Sequence, residues 1–183
     1  MCLPPLRRER SAYYYTQSGV IPCRIIDGET QVLLIAKHKK TNRSNWSIPK
    51  GIVEPGLTPQ ASGTIEAEEE AGVLGHVGHR KIGEFTISKW GATCLVGVYA
   101  FLVTDELADG QWESGKRVRQ WFSVDDAVSA CRYPAVGAMI SPLQTDGRLN
   151  LPVLVNRVSR GLKGIFPRNT ELTHSWQPPP QTT

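Results

Sequence analysis

Apolar positions in the first third of the chain form two short extended runs. The runs are SGVIPCRII (residues 18–26) and TQVLLIAKHK (residues 30–39), and the dipeptide Asp27-Gly28 between them is a strong turn signal. The second run is apolar from Val32 to Ala36 without alternation, which is typical of a strand covered on both faces. The pattern therefore predicts a β-hairpin whose second strand lies inside a sheet.

A helical pattern follows the hairpin, and further extended runs follow the helix. Thr58 is a good N-cap, Pro59 suits the first helical position, and Gly72 suits the end of the helix. The later extended runs cover residues 79–88, 93–103 and 119–123. The last run leads into a second helix, for which Ser123 is a good N-cap. Strands around one helix, followed by a second helix, predict an α/β sandwich with a mixed sheet.

The first helix carries acids that have no cation on their own segment. Glu66, Glu69 and Glu70 are spaced i, i+3 and i+4, so their carboxylates lie on one face, whereas Glu68 points away. No Lys or Arg occurs between residues 51 and 75. Each negative charge near a helix C-terminus costs about 0.3–1 kcal/mol, so a cation should lie beside these acids. Oxygen ligands on a rigid face suit magnesium or manganese.

Length and composition are consistent with a single domain that has tails. The chain has 183 residues, of which 40% are hydrophobic. We expect a flexible basic arm at residues 1–12, the domain at 13–145 and an extension at 146–183 with a disordered end. An amphipathic helix pattern at 151–166 favours docking on the domain, with an interfacial membrane helix or a homodimer contact as alternatives. Scattered cysteines, no membrane span and no signal peptide pattern predict a soluble cytoplasmic protein.

Net charge points to polyanionic partners. The net charge is +4 and the isoelectric point is about 9.0. Cations are concentrated beyond the second strand, where no acid occurs between Glu29 and Glu54. This basic run is either a solvated edge or one wall of a phosphate site that faces the acidic helix. The candidate phosphate contacts are Lys37, Lys39, Arg43, Lys50 and Arg119.

Three side chains near this run each have two open roles. His38 is either a hydrogen-bond donor to phosphate or an incidental surface histidine. Trp46 and Trp90 suit either a stacked base or the edge of the core.

Residues 51–73 resemble the box of the Nudix hydrolases, which reads G-x5-E-x7-R-E-U-x-E-E-x-G-U with U an aliphatic residue. Gly51 aligns with the first glycine, and Glu66, Glu69 and Glu70 align with the last three glutamates. The resemblance implies an α/β/α sandwich and metal-assisted hydrolysis of a phosphoanhydride. The three glutamates, with a backbone carbonyl near Lys50 or Gly51, would hold Mg²⁺ or Mn²⁺, and Glu66 or Glu69 would be the general base.

Two positions of the box depart from the pattern. Leu57 replaces the first glutamate and Ile65 replaces the arginine, and in the family these two side chains are thought to form a salt bridge. Packed apolar groups often replace a buried ion pair at no cost in stability. We therefore expect Leu57 and Ile65 to brace the loop against the helix through an apolar contact.

A narrower resemblance covers KRVRQWFSVDDA, residues 116–127. This run is similar to the diphosphoinositol polyphosphate and diadenosine polyphosphate hydrolase branch, as is the loop WSIPKG followed by VEPG. Gln120 stands where members of the branch often carry Glu, so no acid role is carried over to it.

Three functions follow from these observations. The first is Mg²⁺-dependent hydrolysis of a nucleoside or inositol polyphosphate, a phosphorylated small molecule. The second is RNA 5′ pyrophosphohydrolysis, which the basic arms permit. The third is a non-catalytic nucleotide-binding module, which Leu57 and Ile65 permit, although the three retained glutamates argue against it.

Overall fold

The predicted strands and helices form a mixed sheet with helices on both sides. The computed structural model describes residues 14–38, 45–89, 91–145 and 148–149. The strands are β1 (Tyr14–Ile26), β2 (Glu29–Lys37), β3 (Lys50–Ile52), β4 (Val73–Lys89), β5 (Ala92–Glu106), β6 (Arg117–Ser123), β7 (Gln144–Thr145) and β8 (Arg148–Leu149). The α-helices are α1 (Pro59–Ala71), α2 (Val124–Ala130) and α3 (Pro134–Ile140). Short 3₁₀ turns cover Glu113–Gly115 and Ser141–Leu143.

The main sheet has the strand order β4-β5-β1-β2-β6, and β3 pairs with β1 beside this path. β1 pairs with β5 in parallel, while its pairings with β2 and β3 are antiparallel. β4 and β6 pair antiparallel with their neighbours β5 and β2. The hairpin predicted at Asp27-Gly28 and the mixed sheet are therefore confirmed.

The β2 strand separates two apolar cores. Leu33 and Ile35 face α1, where they pack with Ala67 and Ala71. The other positions of β2, Val32, Leu34 and Ala36, face α2 and α3. Both faces of the strand are buried, as its unbroken apolar run predicted.

Helix α1 begins and ends where its sequence predicts. The Thr58 side chain accepts a hydrogen bond from the Ala61 amide at 3.1 Å. Gly72 is left-handed, with φ 62°, and its amide donates to the carbonyls of Ala67 and Glu68. Ser123 caps α2 in the same way as Thr58 caps α1, because its hydroxyl accepts from the Asp126 amide.

Some elements differ from the sequence prediction. The short strand β3 and the helix α3 were not predicted, and β4 begins six residues before the apolar run at 79–88. The basic arm at 1–12 and the helix predicted at 151–166 lie outside the described residues. No helix in the described ranges is long and apolar enough to cross a membrane.

Candidate active site

The β3 strand brings the loop before α1 onto the sheet beneath the helix. Two hydrogen bonds with β1, each 3.1 Å long, fix the residues on either side of β3. The Val20 amide of β1 donates to the Pro49 carbonyl, and the Val53 amide donates to the Thr16 carbonyl of β1. Gly63 lets α1 approach closely, since a Cβ there would lie 2.9 Å from a side-chain atom of Val20. The peptide at residues 50–51 therefore lies under the acidic face of α1.

Gly51 is the closest point between this peptide and the helix. A Cβ at Gly51 would lie 1.5 Å from Oε1 of Glu66 and 2.2 Å from its Cδ, so the Glu66 side chain would have to move away. The Glu66 carboxylate therefore lies directly over the Gly51 backbone. The first glycine of the box is needed because it makes room for a carboxylate.

Glu70 is the most deeply placed acid of the cluster. It is 8% exposed, and its Oε2 accepts a 3.0 Å hydrogen bond from the Lys50 amide. Its Oε1 accepts from the Arg117 guanidinium. The sequence analysis expected a cation beside the acidic helix, and at Glu70 that cation is Arg117 of β6.

Arg117 also contacts an acid outside the helix. Its Nε donates to Glu113 at 2.8 Å, and Glu113 accepts in addition from Lys116 at 2.7 Å. Those two cations lower the pKa of Glu113, with Lys116 the larger influence. The result is a chain of alternating charges that starts at Glu70 and ends at Lys116.

Arg119 contacts backbone carbonyl groups, whereas the sequence analysis predicted a phosphate contact for it. Its guanidinium donates to the carbonyls of Ala71 and Gly72, at the C-terminus of α1, and to the Leu107 carbonyl. It also lies over the Trp112 ring, 4.8 Å from the centroid. Arg119 thus satisfies the end of the acidic helix, and these contacts do not support a role for it in binding phosphate.

Glu66 has an unusually high affinity for its proton. Burial, followed by the negative charges of Glu70 and Glu69, raises the pKa of Glu66 from its usual 4.5 to about 7. Arg117 and Lys50 oppose this rise. A cation bound next to Glu66 would relieve the repulsion that makes its ionised form unfavourable.

This pKa predicts how the stability of the metal-free protein depends on pH. Between pH 4.5 and 7 the folded protein holds a proton on Glu66 that the unfolded chain has lost, so stability falls as the pH rises through this window. Glu66→Gln removes that loss, which we put at about 1 kcal/mol after allowing for solvent screening. In chelator-treated protein the Tm gain of the variant should be about 2–4 °C larger at pH 8 than at pH 5. A gain that is the same at both pH values would contradict this assignment.

The donors fit a hard divalent cation, although they are not assembled around one. All candidate ligands are oxygens, and the Gly51 backbone forms a cradle that the Glu66 carboxylate fills. Glu69 is exposed at the rim of the cluster. Among the described residues, no three His, Cys, Asp or Glu side chains are grouped closely enough to hold an ion as they stand.

A pocket of about 150 Å³ opens beside the acids. Its lining includes four cations, and they are Lys37, Lys50, Arg117 and Arg132. Asn45 and Tyr133 add polar groups to the same wall. Burial lowers the pKa of Lys50, an effect that Glu70 opposes and that Arg117 and Lys89 reinforce. Because Lys50 and Arg117 belong to both the pocket and the acid cluster, the two features form one site.

Two pocket residues that the sequence analysis missed come from the turn between α2 and α3. The Arg132 amide donates to the Trp46 carbonyl at 2.7 Å, which holds this turn against the loop that leads into β3. The Tyr133 ring packs on Phe85, with 5.0 Å between centroids. The only sequence signal here is a cation and an aromatic residue before Pro134, which is too common a pattern to indicate a site.

The remaining predicted residues divide into three groups. Lys39, Arg43 and Trp90 lie outside the described residues. A ring nitrogen of His38 lies 2.7 Å from the Ser114 carbonyl, so this side chain is engaged with the protein. Trp46 is 6% exposed and meets Phe122 edge to face, with 5.1 Å between centroids, so it belongs to the core.

The apolar brace expected between Leu57 and Ile65 would lie at the protein surface. Leu57 is 37% exposed and Ile65 is 40% exposed, and neither belongs to the two apolar cores. The loop before Leu57 is instead closed by its own turn, in which the Leu57 amide donates to the Glu54 carbonyl at 3.1 Å and Gly56 has φ 86°.

Comparisons with known proteins agree on one family. A family model described as NUDIX domain matches residues 16–141. Diphosphoinositol polyphosphate phosphohydrolase 2 of Rattus norvegicus is 31% identical in an alignment of 142 residues, which covers 72% of this chain and 75% of that protein. Nudix hydrolase 12, mitochondrial, of Arabidopsis thaliana is 30% identical over 151 residues, with coverage of 69% and 72%.

Solved structures share the fold. The C. elegans Ap4A hydrolase superposes with a TM-score of 0.57 and 18% identity, covering 70% of this chain and 95% of that one. A NUDIX hydrolase from Nitrosomonas europaea superposes with a TM-score of 0.54 and 21% identity, covering 78% and 96%.

Proposed function

This chain belongs to the Nudix hydrolase family and is a pyrophosphohydrolase of that family, and we propose that it cleaves a phosphoanhydride bond in a nucleoside or inositol polyphosphate. The diadenosine polyphosphates and the diphosphoinositol polyphosphates are the substrate classes proposed. One observation carries the proposal, which is the continuity between the acid cluster and a pocket lined by cations. A polyphosphate chain that enters this pocket meets positive charge along its length and carboxylates at its end.

The chain's own residues would divide the work. Lys37, Lys50 and Arg132 bind and orient the phosphates through charge-assisted hydrogen bonds. Glu66, Glu69 and Glu70, with the backbone carbonyl of Lys50 or Gly51, would hold Mg²⁺ or Mn²⁺. When bound, such an ion supplies charge neutralisation at the phosphate oxygens and lowers the pKa of water.

Hydrolysis breaks a P–O–P bridge, and the oxygen of water adds to phosphorus. The proton that water loses must go to a nearby base, and the candidates are Glu66 and Glu69. Glu66 lies directly over the Gly51 backbone, whereas Glu69 is exposed at the rim of the cluster. The departing phosphate oxygen then leaves toward the cationic wall of the pocket.

Names of the relatives support the substrate classes without choosing between them. The rat relative is named for diphosphoinositol polyphosphate, and the C. elegans structure is named for Ap4A. The cations that line the pocket suit the phosphates of either class. The cytoplasmic location stays a prediction, since a relative from Arabidopsis thaliana has mitochondrial in its name.

A phosphate-release panel tests the proposal. The purified chain is assayed with Mg²⁺ against diadenosine polyphosphates, nucleoside diphosphate sugars, inositol pyrophosphates and triphosphorylated RNA. Turnover should be highest on the first or third class. Preferred turnover of RNA would favour the second function predicted from sequence, and binding without any turnover would favour the non-catalytic module.

Arg132→Gln tests the pocket within the same panel. The loss of one phosphate contact should raise KM by about tenfold and leave kcat near its original value, because the contact is made equally to the ground state and the transition state. Arg80→Gln on β4, where the side chain is exposed and outside the pocket lining, is the matched control for the loss of one positive charge. Equal KM values for the two variants would remove Arg132 from the site.

A further inference from the structure

Arg117 is shared between two carboxylates that have different surroundings. Its Nη2 contacts Glu70 on α1, and its Nε contacts Glu113 in the turn before β6. The side chains of Arg117, Glu70 and Glu113 are 21%, 11% and 30% exposed. One partly shielded guanidinium therefore neutralises an acid inside the candidate metal site and an acid outside it.

The two donors that hold Glu70 respond differently to an incoming cation. Oε2 accepts from the Lys50 amide, which carries no net charge. Oε1 accepts from Arg117, which does carry one. A divalent ion on Glu70 leaves the amide contact undisturbed and repels the guanidinium at close range.

Glu113 gives the displaced guanidinium an acceptor that it already touches. The Nε to Oε2 hydrogen bond of 2.8 Å can persist while Nη2 leaves Glu70. Lys116, whose side chain is largely exposed, donates to the other oxygen of Glu113 at 2.7 Å. The Arg117 side chain can thus pivot about its contact with Glu113.

We propose that Arg117 is an exchangeable counter-ion of the metal site, which pairs with Glu70 in the metal-free protein and passes to Glu113 when a divalent cation binds. Glu113 is then a positioning residue that adjusts metal affinity through Arg117. The inference rests on the proposed function, because it requires a divalent ion at Glu70. It also explains how a carboxylate that must hold a metal avoids being buried uncompensated before the metal arrives.

Calorimetry of Mn²⁺ binding to the chelator-treated full chain tests the exchange. Arg117→Gln removes the competing cation and should tighten the Mn²⁺ Kd by about tenfold. Glu113→Gln removes the carboxylate that would receive Arg117 from Glu70 and should weaken the Kd by about fivefold. Lys116→Gln removes an exposed charge beside Glu113 and leaves Arg117 and both of its carboxylate partners, so it should change the Kd by less than about twofold.

The double variant separates exchange from a direct effect of the Glu113 charge. If Glu113 acts through Arg117, adding Glu113→Gln to Arg117→Gln leaves the Kd within about twofold of Arg117→Gln alone. If Glu113 acts through its own field, the weakening is equal in both backgrounds, and the exchange is overturned. Equal Kd values for the unaltered chain and both single variants also overturn it.

An NMR titration with Mg²⁺ keeps the inference testable should Arg117→Gln fail to fold. The Nε–Hε signal of Arg117, identified by its absence from Arg117→Lys, should shift with the same Mg²⁺ dependence as the calorimetric binding. A signal that stays fixed while Mg²⁺ saturates the protein overturns the exchange alone. Absence of any divalent binding to the unaltered chain overturns the metal assignment in the proposed function and the exchange with it.

Discussion

Glu70→Gln is expected to lower phosphate release by about 10²–10³-fold, the typical loss when one charge-stabilising group is removed from an active site. Glu70 is 8% exposed and fixed at both oxygens, so it cannot be replaced by a neighbour that moves into its position. Glutamine keeps the size and one acceptor oxygen, and it loses the negative charge that a divalent ion requires. The measurement is kcat with saturating Mg²⁺ on the best substrate of the panel.

The matched control for this variant lies on the same helix. Glu68→Gln removes an equal charge from an exposed position of α1, away from the acid cluster. Its kcat should stay within about twofold of the original value, as expected for a surface substitution. Equal turnover by Glu70→Gln and Glu68→Gln would exclude the catalytic role of Glu70.

Gly51→Ala is expected to lower kcat by about 10²-fold with little loss of stability. The new Cβ would lie 1.5 Å from Oε1 of Glu66, so the carboxylate has to leave its place over the loop. The displaced atoms form the end of a flexible side chain, and Gly51 is not among the left-handed glycines, so the backbone tolerates alanine. Activity and stability should therefore separate in this variant.

Gly115→Ala is the control for the glycine substitution. A Cβ at Gly115 meets nothing within 4 Å, and its φ also lies outside the left-handed range. Its kcat and its Tm should both stay near the original values. Unchanged kcat in Gly51→Ala, with a Tm equal to that of Gly115→Ala, would show that the position of Glu66 does not matter for turnover.

Local sequence signals were sufficient for the helix and for part of the sheet. Thr58 and Gly72 mark the ends of α1 because a cap depends on residues within one turn. The unbroken apolar run of β2 is enough to predict a strand buried on both faces. The β3 strand could not be predicted, since its residues become a strand only through their pairing with β1.

The acids of the site could be predicted, whereas their counter-ions could not. Spacing alone places Glu66 and Glu70 on one face of a helix. Which cation reaches them depends on the register between β6 and β2, where Arg119 pairs with Ile35 and Arg117 with Lys37.

That register puts both arginines on the α1 side of the sheet. Arg119 reaches the helix end, and Arg117 reaches Glu70. The sequence resemblance in residues 116–127 contained both arginines, and nothing in their spacing distinguished the one that lies in the pocket.

The exposed pair Leu57 and Ile65 shows the limit of compensation arguments. Two paired changes in a motif suggested that an apolar contact had replaced a salt bridge. Both side chains lie more than a third exposed, and the loop also has its own turn at residues 54–57 and the pairing of β3 before it. A paired change therefore need not preserve the contact that it removes.

The most direct measurement is the anomalous scattering of Mn²⁺ in crystals of the chain grown with a non-hydrolysable polyphosphate analogue. A peak is expected under helix α1, with carboxylate oxygens of Glu66 and Glu70 and the carbonyl of Lys50 or Gly51 each about 2.0–2.2 Å away. The polyphosphate should extend from the peak toward Arg132. A chain that turns over substrate with Mn²⁺ bound elsewhere, or with no ion at these oxygens, would contradict the account.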